Sequence, residues 1–218
     1  MTSKPKTLNS DFYKRTRLPL LEANTMPTEC YTSRDFYNLE IKKIFYKVWN
    51  FIGRADLVPE IGDYYAFDFA DVPILIVRGD DNKIRAFANS CRHRGAKIAS
   101  GEGNCNAFSC PYHGWTYSLD GHLKAATYMD RTKGFNKSDY GLVPLRLEQW
   151  GGFLFVCFDN NAEPLEHFLG DLPELMRPYD LDRLRCTRRQ EYSLQCNWKI
   201  YIENAMESYH VPWVHNKT

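Results

Sequence analysis

The sequence predicts an α+β protein with a mainly antiparallel β region in the middle and helical segments on both sides. Between about residues 51 and 160, short runs rich in β-branched and aromatic residues are separated by turns that contain Gly, Asp and Asn. Apolar residues recur at helical spacing before this region, at 35–49, and after it, at 166–179 and beyond 197. With 218 residues, 44% of them hydrophobic, the chain is globular and large enough for one full core and part of another.

The first predicted helix runs from Asp35 to Trp49, and Thr32-Ser33 supplies its N-terminal cap. Residues 1–30, which precede it, are expected to form an extended arm interrupted by proline. The predicted strands are Tyr64–Phe69, Ile74–Val77, Ile84–Phe87 and Phe153–Phe158. The polar loop at 159–161 predicts a domain boundary, so the domains are expected at 1–50, 51–160 and 161–218. Beyond it, the pattern predicts a helix at 166–179 broken by Pro173, and a strand at 184–194.

Two short boxes carry the strongest chemical signal. They read CRHRG from Cys91 and CPYHGWTY from Cys110, which gives C-x-H, sixteen residues, then C-x-x-H. Two thiolates and two imidazoles suit a [2Fe–2S] centre in which histidines replace two cysteines on one iron. Such a cluster accepts an electron more easily than an all-cysteine one, which is typical of an electron relay.

A tetrahedral zinc site in a binding module is the alternative for these four residues. Structural zinc usually takes a pair of cysteines at C-x(2–4)-C spacing and a pair of histidines at H-x(3–5)-H spacing. Here each box mixes one Cys with one His, so zinc fits the spacing less well. Analysis for iron and acid-labile sulfide separates the two hypotheses.

A second pattern, E-x-x-H-x4-H, lies near the end of the chain at Glu207, His210 and His215. Two histidines and a carboxylate are the ligands of non-haem Fe(II) oxygenases. On a straight helix, positions i and i+5 are about 140° apart, so the two histidines need a break between them. Pro212 predicts that break. The alternative is an amphipathic helix with two surface histidines.

Both patterns resemble one family. CRHRG…CPYHGWTY is similar to the Rieske box of ring-hydroxylating oxygenase large (alpha) subunits, and NWKIYIENAMESYHVPWVH is similar to their mononuclear-iron segment, in the same order. The resemblance implies that a Rieske domain precedes the start of an α+β helix-grip catalytic domain. It implies that Cys91 and Cys110 bind the inner iron of the cluster and His93 and His113 the outer iron. His210 and His215 are then ligands of the mononuclear Fe(II).

The resemblance also gives Glu207 a catalytic role. It matches the carboxylate that links a Rieske histidine of one subunit to an iron-ligand histidine of the next. Many aromatic-ring dioxygenases have Asp there, whereas Glu resembles members that act on quaternary amines. The family's third iron ligand is a carboxylate far downstream, and no acidic residue follows His215. The chain is therefore expected to be the N-terminal portion of a longer subunit, inactive by itself.

The function implied by the family is O₂-dependent hydroxylation of a small organic substrate, either an aromatic ring, as in aromatic hydrocarbon catabolism, or a quaternary amine. Electrons come from NAD(P)H through a reductase or ferredoxin, and the full-length subunit forms a homo-oligomer, expected to be a trimer. A Rieske-type ferredoxin without its own catalysis is the alternative. The net charge of +1 does not predict nucleic-acid binding, and no apolar run predicts a membrane span or secretory signal, so a cytoplasmic location is expected.

Overall fold

The computed structural model describes residues 6–216. These form two compact units: a central unit, 45–188, and a flanking unit made of 6–44 together with 189–216. The predicted α+β class is confirmed. The predicted boundaries at 50 and 160 stay a prediction, and the ends of the predicted first and last domains, 1–5 and 217–218, lie outside the described residues.

The strands of the described chain all belong to the central unit. They are β1 Asn50–Arg54, β2 Asp63–Phe69, β3 Val72–Arg78, β4 Ile84–Ala88, β5 Gly101–Asn104, β6 Phe108–Ser109, β7 Thr116–Tyr117, β8 Leu123–Ala125, β9 Pro144–Trp150 and β10 Phe153–Cys157. Seven of them form one antiparallel sheet in the order β1-β10-β9-β4-β3-β2-β5, and β6-β7-β8 form a small second sheet. The four predicted strands correspond to β2, β3, β4 and β10, with ends within two residues.

Strand β3 is buried on both faces. Ile74 and Ile76 pack into one apolar cluster, with Leu154 and Val156 of β10, whereas the alternate residues of β3 pack into another. This alternation follows from the two-residue period of a strand. The second cluster contains buried side chains of the small sheet and its loops: Phe108, Trp115, Tyr117, Leu119 and Leu123. The small sheet is thus held against the large one, and the two boxes lie at loops between these packed strands.

The helices are short. They are α1 Glu29–Thr32, α2 Arg34–Glu40, α3 Leu165–Leu169, α4 Leu172–Met176, α5 Trp198–Met206 and α6 Val211–Val214. The cap of the first predicted helix is present, because the Ser33 hydroxyl accepts a hydrogen bond from the Phe36 amide at 3.2 Å. That helix is shorter than predicted: α-helical geometry ends at Glu40 and gives way to a π-helical turn at Ile41–Phe45. The preceding arm contains 3₁₀ turns at Lys6–Leu8 and Ser10–Tyr13.

Two predictions for the segment 166–194 were wrong. The helix at 166–179 breaks at Gly170, which has φ +55°, and not at Pro173. Pro173 lies in the first turn of α4, where a missing N–H costs nothing. The predicted strand at 184–194 has no regular secondary structure and is exposed. Its composition suits a strand, but within residues 6–216 no strand lies beside it to pair with. No helix within 6–216 has the length and apolar character to cross a membrane.

Candidate metal centres

The loops that carry the two boxes share one backbone pattern. The amide of Gly95 donates to the carbonyl of Cys91, and the amide of Gly114 donates to the carbonyl of Cys110, both at 2.9 Å. In each loop the cysteine amide in turn donates to the carbonyl five residues ahead, at 2.8 and 2.7 Å. The two glycines have φ of +75° and +70°, a conformation that disfavours residues with a Cβ. Two turns of the same kind therefore present their side chains in the same way.

The thiols point inward and the imidazoles outward. Cys91 and Cys110 are each 3% exposed, whereas His93 is exposed and His113 is partly exposed. The Nδ1 atoms of the two histidines are 3.1 Å apart. A metal–imidazole bond is about 2.0–2.1 Å long, so two ring nitrogens on one ion lie about 3 Å apart. The outer pair therefore has the separation that one shared iron requires.

The donor set fits a [2Fe–2S] cluster. Within residues 6–216, no three His, Cys, Asp or Glu side chains converge as ligands of a single ion. In a cluster of two thiolates and two imidazoles, each iron has only two ligands from the protein. Burial lowers the pKa of His113, and the nearby His93 and Arg94 lower it further. This favours the neutral imidazole that binds metal.

Tyr117 supports the cysteine side of the first loop. Its hydroxyl lies 3.3 Å from the Cys91 sulfur and accepts a hydrogen bond from the Arg92 amide at 3.0 Å. The ring is fully buried, and this burial, followed by the contact with Cys91, raises the pKa of Tyr117. The phenol therefore keeps its proton. A cysteine that is a metal-bound thiolate can only accept, so the hydroxyl donates to its sulfur.

An aromatic group fixes the ring of His93. Trp115 stacks on His93 with ring centroids 4.9 Å apart and planes 11° from parallel. Phe135 and Tyr140 contact Trp115 edge-on, with centroid distances of 5.7 and 5.8 Å. Since Trp115 is only 2% exposed, the tip of the first loop rests on a side chain of the core.

The second candidate centre follows helix α5. After the helix ends at Met206, Glu207 Oε1 contacts His210 Nδ1 at 2.5 Å. Its other carboxylate oxygen accepts from the amides of Tyr209 and His210. The contact with His210 is the main reason why the pKa of Glu207 lies below its usual value. Because Nδ1 of His210 is engaged, Nε2 is the nitrogen left for a metal.

Helix α5 ends before both histidines, and not between them at Pro212 as predicted. Helix α5 ends four residues before His210, and Pro212 lies in the first turn of the new helix α6, where its missing N–H is tolerated. Helix α6 makes one turn, in which the His215 amide donates to the Val211 carbonyl at 2.9 Å. The rings of His210 and His215 come to 5.4 Å between centroids.

Comparison with known families gives two matches, one to each part of the chain that carries a candidate centre. Residues 48–136 match the family described as the Rieske [2Fe-2S] domain. Residues 181–218 match the family described as the ring hydroxylating alpha subunit (catalytic domain). The chain combines a Rieske domain with residues of a ring-hydroxylating alpha-subunit catalytic domain. Its two domains imply a Rieske [2Fe–2S] cluster and a mononuclear iron as cofactors.

Similar proteins include members that act on quaternary ammonium compounds. The chain is 35% identical over 204 residues to choline monooxygenase of Beta vulgaris, covering 91% of the chain and 46% of the relative. It is 36% identical to the glycine betaine monooxygenase oxygenase subunit of Chromohalobacter salexigens, with coverages of 88% and 43%. The chain thus spans about half the length of the curated relatives it matches.

Solved structures give the same family. The quaternary ammonium Rieske monooxygenase CntA, in complex with its substrate gamma-butyrobetaine, has a TM-score of 0.86 at 32% identity, covering 99% of this chain and 61% of that one. Naphthalene 1,2-dioxygenase from Rhodococcus sp. has a TM-score of 0.80 at 30% identity, with coverages of 88% and 46%. The likeness includes oxygenases of quaternary amines and of an aromatic hydrocarbon.

The six candidate metal ligands and Glu207 stay predictions from the sequence, and sequence reasoning missed the residues that support them. Trp115 and Tyr117 both lie in the second box, but the sequence pattern assigns neither of them a role. Their spacing of two residues is the available signal, because it places both side chains on one face of the chain as it enters β7.

Proposed function

We propose that the complete subunit containing this chain is a Rieske-type oxygenase that uses O₂ to oxidise a small quaternary ammonium compound. The observation that carries the proposal is the presence of two donor sets in one chain. The paired loops offer two thiols and two imidazoles, and Glu207 orients His210 beside His215. A Rieske-type ferredoxin needs only the first set.

In this proposal, Cys91 and Cys110 hold the inner iron, and His93 and His113 hold the outer iron. The cluster, when bound, passes single electrons. Tyr117 stabilises the thiolate of Cys91 by donating a hydrogen bond. The exposed edges of the two imidazoles give an electron donor the closest approach to the cluster.

His210 and His215 bind the mononuclear Fe(II), which, when bound, supplies O₂ activation beside the substrate. Glu207 keeps His210 in one tautomer and orientation through the contact at Nδ1. Its carboxylate also links His210 to a Rieske histidine of a neighbouring subunit, which requires a homo-oligomer, proposed to be a trimer. The electron donor is a separate NAD(P)H-dependent reductase or a ferredoxin.

A quaternary amine is favoured over an aromatic ring as the substrate. The relatives named for choline and glycine betaine, and CntA bound to gamma-butyrobetaine, share this class. Glu207, where many aromatic-ring dioxygenases have Asp, favours it too. Hydroxylation of an aromatic hydrocarbon is the second candidate, because naphthalene 1,2-dioxygenase is also similar in structure. A cytoplasmic location is part of the proposal, although the choline monooxygenases are chloroplastic.

A single-turnover experiment tests the proposal without the natural electron donor. The complete subunit, loaded with both centres, is reduced with dithionite, desalted, and mixed with O₂ and choline, glycine betaine, carnitine or naphthalene. Mass spectrometry of the products should show an oxidised quaternary amine, and the matched variant Cys110→Ser should give none. A naphthalene diol as the only product would favour the hypothesis of an aromatic substrate. Reoxidation of the cluster without any product would favour the hypothesis of a Rieske-type ferredoxin.

A further inference from the structure

The flanking unit contains a buried ion pair that the proposed mechanism does not use. Glu40, the last residue of α2, is 6% exposed, and Lys199, the second residue of α5, is 7% exposed. Lys199 Nζ donates to the two carboxylate oxygens of Glu40 at 2.7 and 2.8 Å. The two residues are 159 positions apart in the sequence, so the pair ties the two segments of the unit together.

Aromatic rings enclose the pair. Lys199 Nζ lies 5.6 Å from the centroid of Tyr31, 5.3 Å from Phe36 and 5.2 Å from Trp198. These distances allow cation–π attraction on three sides. The indole N–H of Trp198 also donates to Glu40 at 3.3 Å. Both charges are therefore removed from water and satisfied, so that the loss of either leaves the other buried and unpaired.

Tyr31 adds two further bonds to α5. Its carbonyl accepts from the side-chain amide of Asn197, the N-cap of the helix, at 3.1 Å. Its hydroxyl donates to the carboxylate of Glu203 at 3.0 Å. Lys199 and Glu203 are four residues apart and share one face of the helix. Directional polar contacts at Lys199 and, one turn later, at Glu203 therefore fix the side of α5 that faces α1 and α2.

The remainder of α5 offers little else to hold it. Ile200, Tyr201, Ile202 and Met206 are 45, 55, 44 and 82% exposed in the described chain. Apolar contacts are non-directional, whereas a buried pair with two short N–O contacts allows one register. The helix has nine residues and leads directly into Glu207, so its register sets where Glu207 and His210 lie.

We propose that Glu40 is a positioning residue for the mononuclear iron site, because its buried pair with Lys199 fixes the helix that carries the ligands. Tyr31, through its bonds to Asn197 and Glu203, is the second residue that holds this helix in place. The inference rests on the proposed function, in which His210 and His215 bind that iron. Neither Glu40 nor Lys199 contacts the metal ligands, so their effect passes through α5.

Cobalt(II) binding tests this role apart from turnover. The complete subunit, with its cluster but without mononuclear metal, is titrated with Co²⁺ and followed by the visible d–d bands. Glu40→Gln and Lys199→Met should each weaken Co²⁺ binding about 10-fold, the size of effect seen when an outer partner of a metal ligand is lost. Tyr31→Phe, which keeps the ring but loses the bond to Glu203, should weaken it about 3-fold. Asp35→Asn, an exposed charge change on the same α2, should have no effect.

The double variant Glu40→Leu/Lys199→Met separates positioning from stability. Removing both charges eliminates the unpaired group, so the thermal midpoint should recover towards that of the unmodified protein. Co²⁺ affinity should stay about 10-fold weak and the d–d bands altered, because the register is no longer specified. If the thermal midpoint and the Co²⁺ affinity both recover, the pair contributes only to folding stability, and the inference is overturned. Tyr31→Phe serves where the single charge variants fail to fold, and unchanged affinity in it would also overturn the inference.

Co²⁺ binding by the unmodified subunit distinguishes a failure of the proposed function from a failure of this inference. If the unmodified subunit binds no Co²⁺ at His210 and His215, the iron site itself is refuted, and the positioning role with it. If the unmodified subunit binds Co²⁺ and the charge variants bind it equally well with the same spectrum, only the role of Glu40 is refuted. The cluster absorption should be the same in every variant, since its ligands lie in the central unit.

Discussion

The central and flanking units hold their candidate ligands in different ways. In the central unit, Cys91 and Cys110 lie in the core, and each loop is closed by two backbone hydrogen bonds. In the flanking unit, Glu207 and His210 follow a helix with exposed apolar residues and hold each other through side-chain contacts. Backbone bonds in a packed core are insensitive to most single side-chain changes, whereas a ligand positioned by a few side chains depends on each of them. The cluster should therefore tolerate changes around it that the iron site does not.

Removing a cluster ligand should have the largest effect. Cys110→Ser takes a thiolate from the inner iron, so the visible sulfur-to-iron absorption and all electron transfer should be lost. Cys105→Ser is the matched control, because Cys105 is a partly buried free thiol in the loop between the boxes. Absorption spectra and iron and sulfide counts on the reconstituted proteins give the measurement. Retention of the bands in Cys110→Ser would remove this residue from the ligand set.

A substitution at Glu207 tests whether the mononuclear iron site depends on single side chains. In the complete subunit, Glu207→Ala should leave the cluster intact and mononuclear iron bound, but slow electron transfer between the centres about 10- to 100-fold. The reason is the loss of the contact that orients His210. Stopped-flow reoxidation of the cluster measures the rate. Glu207→Gln, which keeps an acceptor for the histidine N–H, should be less affected; equal rates in all three proteins would exclude Glu207 from the path.

A pair of glycines tests the claim that backbone conformation holds the cluster. Gly114 and Gly134 have φ of +70° and +75°, so alanine at either position should cost about 1–2 kcal/mol of folding stability. Only at Gly114 would the new Cβ meet a neighbour, Thr127 Oγ1 at 3.3 Å, and only Gly114 closes a ligand loop. Thermal unfolding should shift similarly in both variants, with iron content reduced in Gly114→Ala alone. Full iron content in both would mean that the loop tolerates the change.

Local patterns predicted much of the central unit. Strands β2, β3, β4 and β10 have dense β-branched and aromatic side chains, so their composition identifies them. Strand β5 could not be predicted in this way, because its four residues, GEGN, are exposed and owe their conformation to pairing with β2. The predicted strand at 184–194 failed for the converse reason: its composition suits a strand, but no strand of the described residues pairs with it.

The candidate ligands were predictable because their spacing is chemically specific, whereas their supports depend on contacts between distant residues. Nothing near Glu40 in the sequence indicates that its carboxylate is buried against Lys199. The end of α5 at Met206 was missed because Pro212 is a strong local signal, although here it begins a helix. Tyr117 was missed because its partner, Cys91, is 26 residues away.

Tyr117 gives the smallest and most selective effect. Tyr117→Phe keeps the buried ring but removes the hydroxyl 3.3 Å from the Cys91 sulfur. The reduced cluster carries more negative charge than the oxidised one, so a hydrogen bond to sulfur stabilises the reduced form more, and its loss should lower the reduction potential. A net hydrogen bond of about 0.5–1.5 kcal/mol corresponds to about 20–60 mV for one electron.

A redox titration followed by the visible absorption of the cluster measures this shift. The cluster should remain fully assembled in Tyr117→Phe, because the core around it is retained. Tyr140→Phe is the matched control, since Tyr140 packs on Trp115 and should leave the potential unchanged. An unchanged potential in Tyr117→Phe with the cluster intact would mean that the hydroxyl does not donate to the thiolate. The Tyr117 hydroxyl would then act only as the acceptor for the Arg92 amide, and the potential of the cluster would not depend on it.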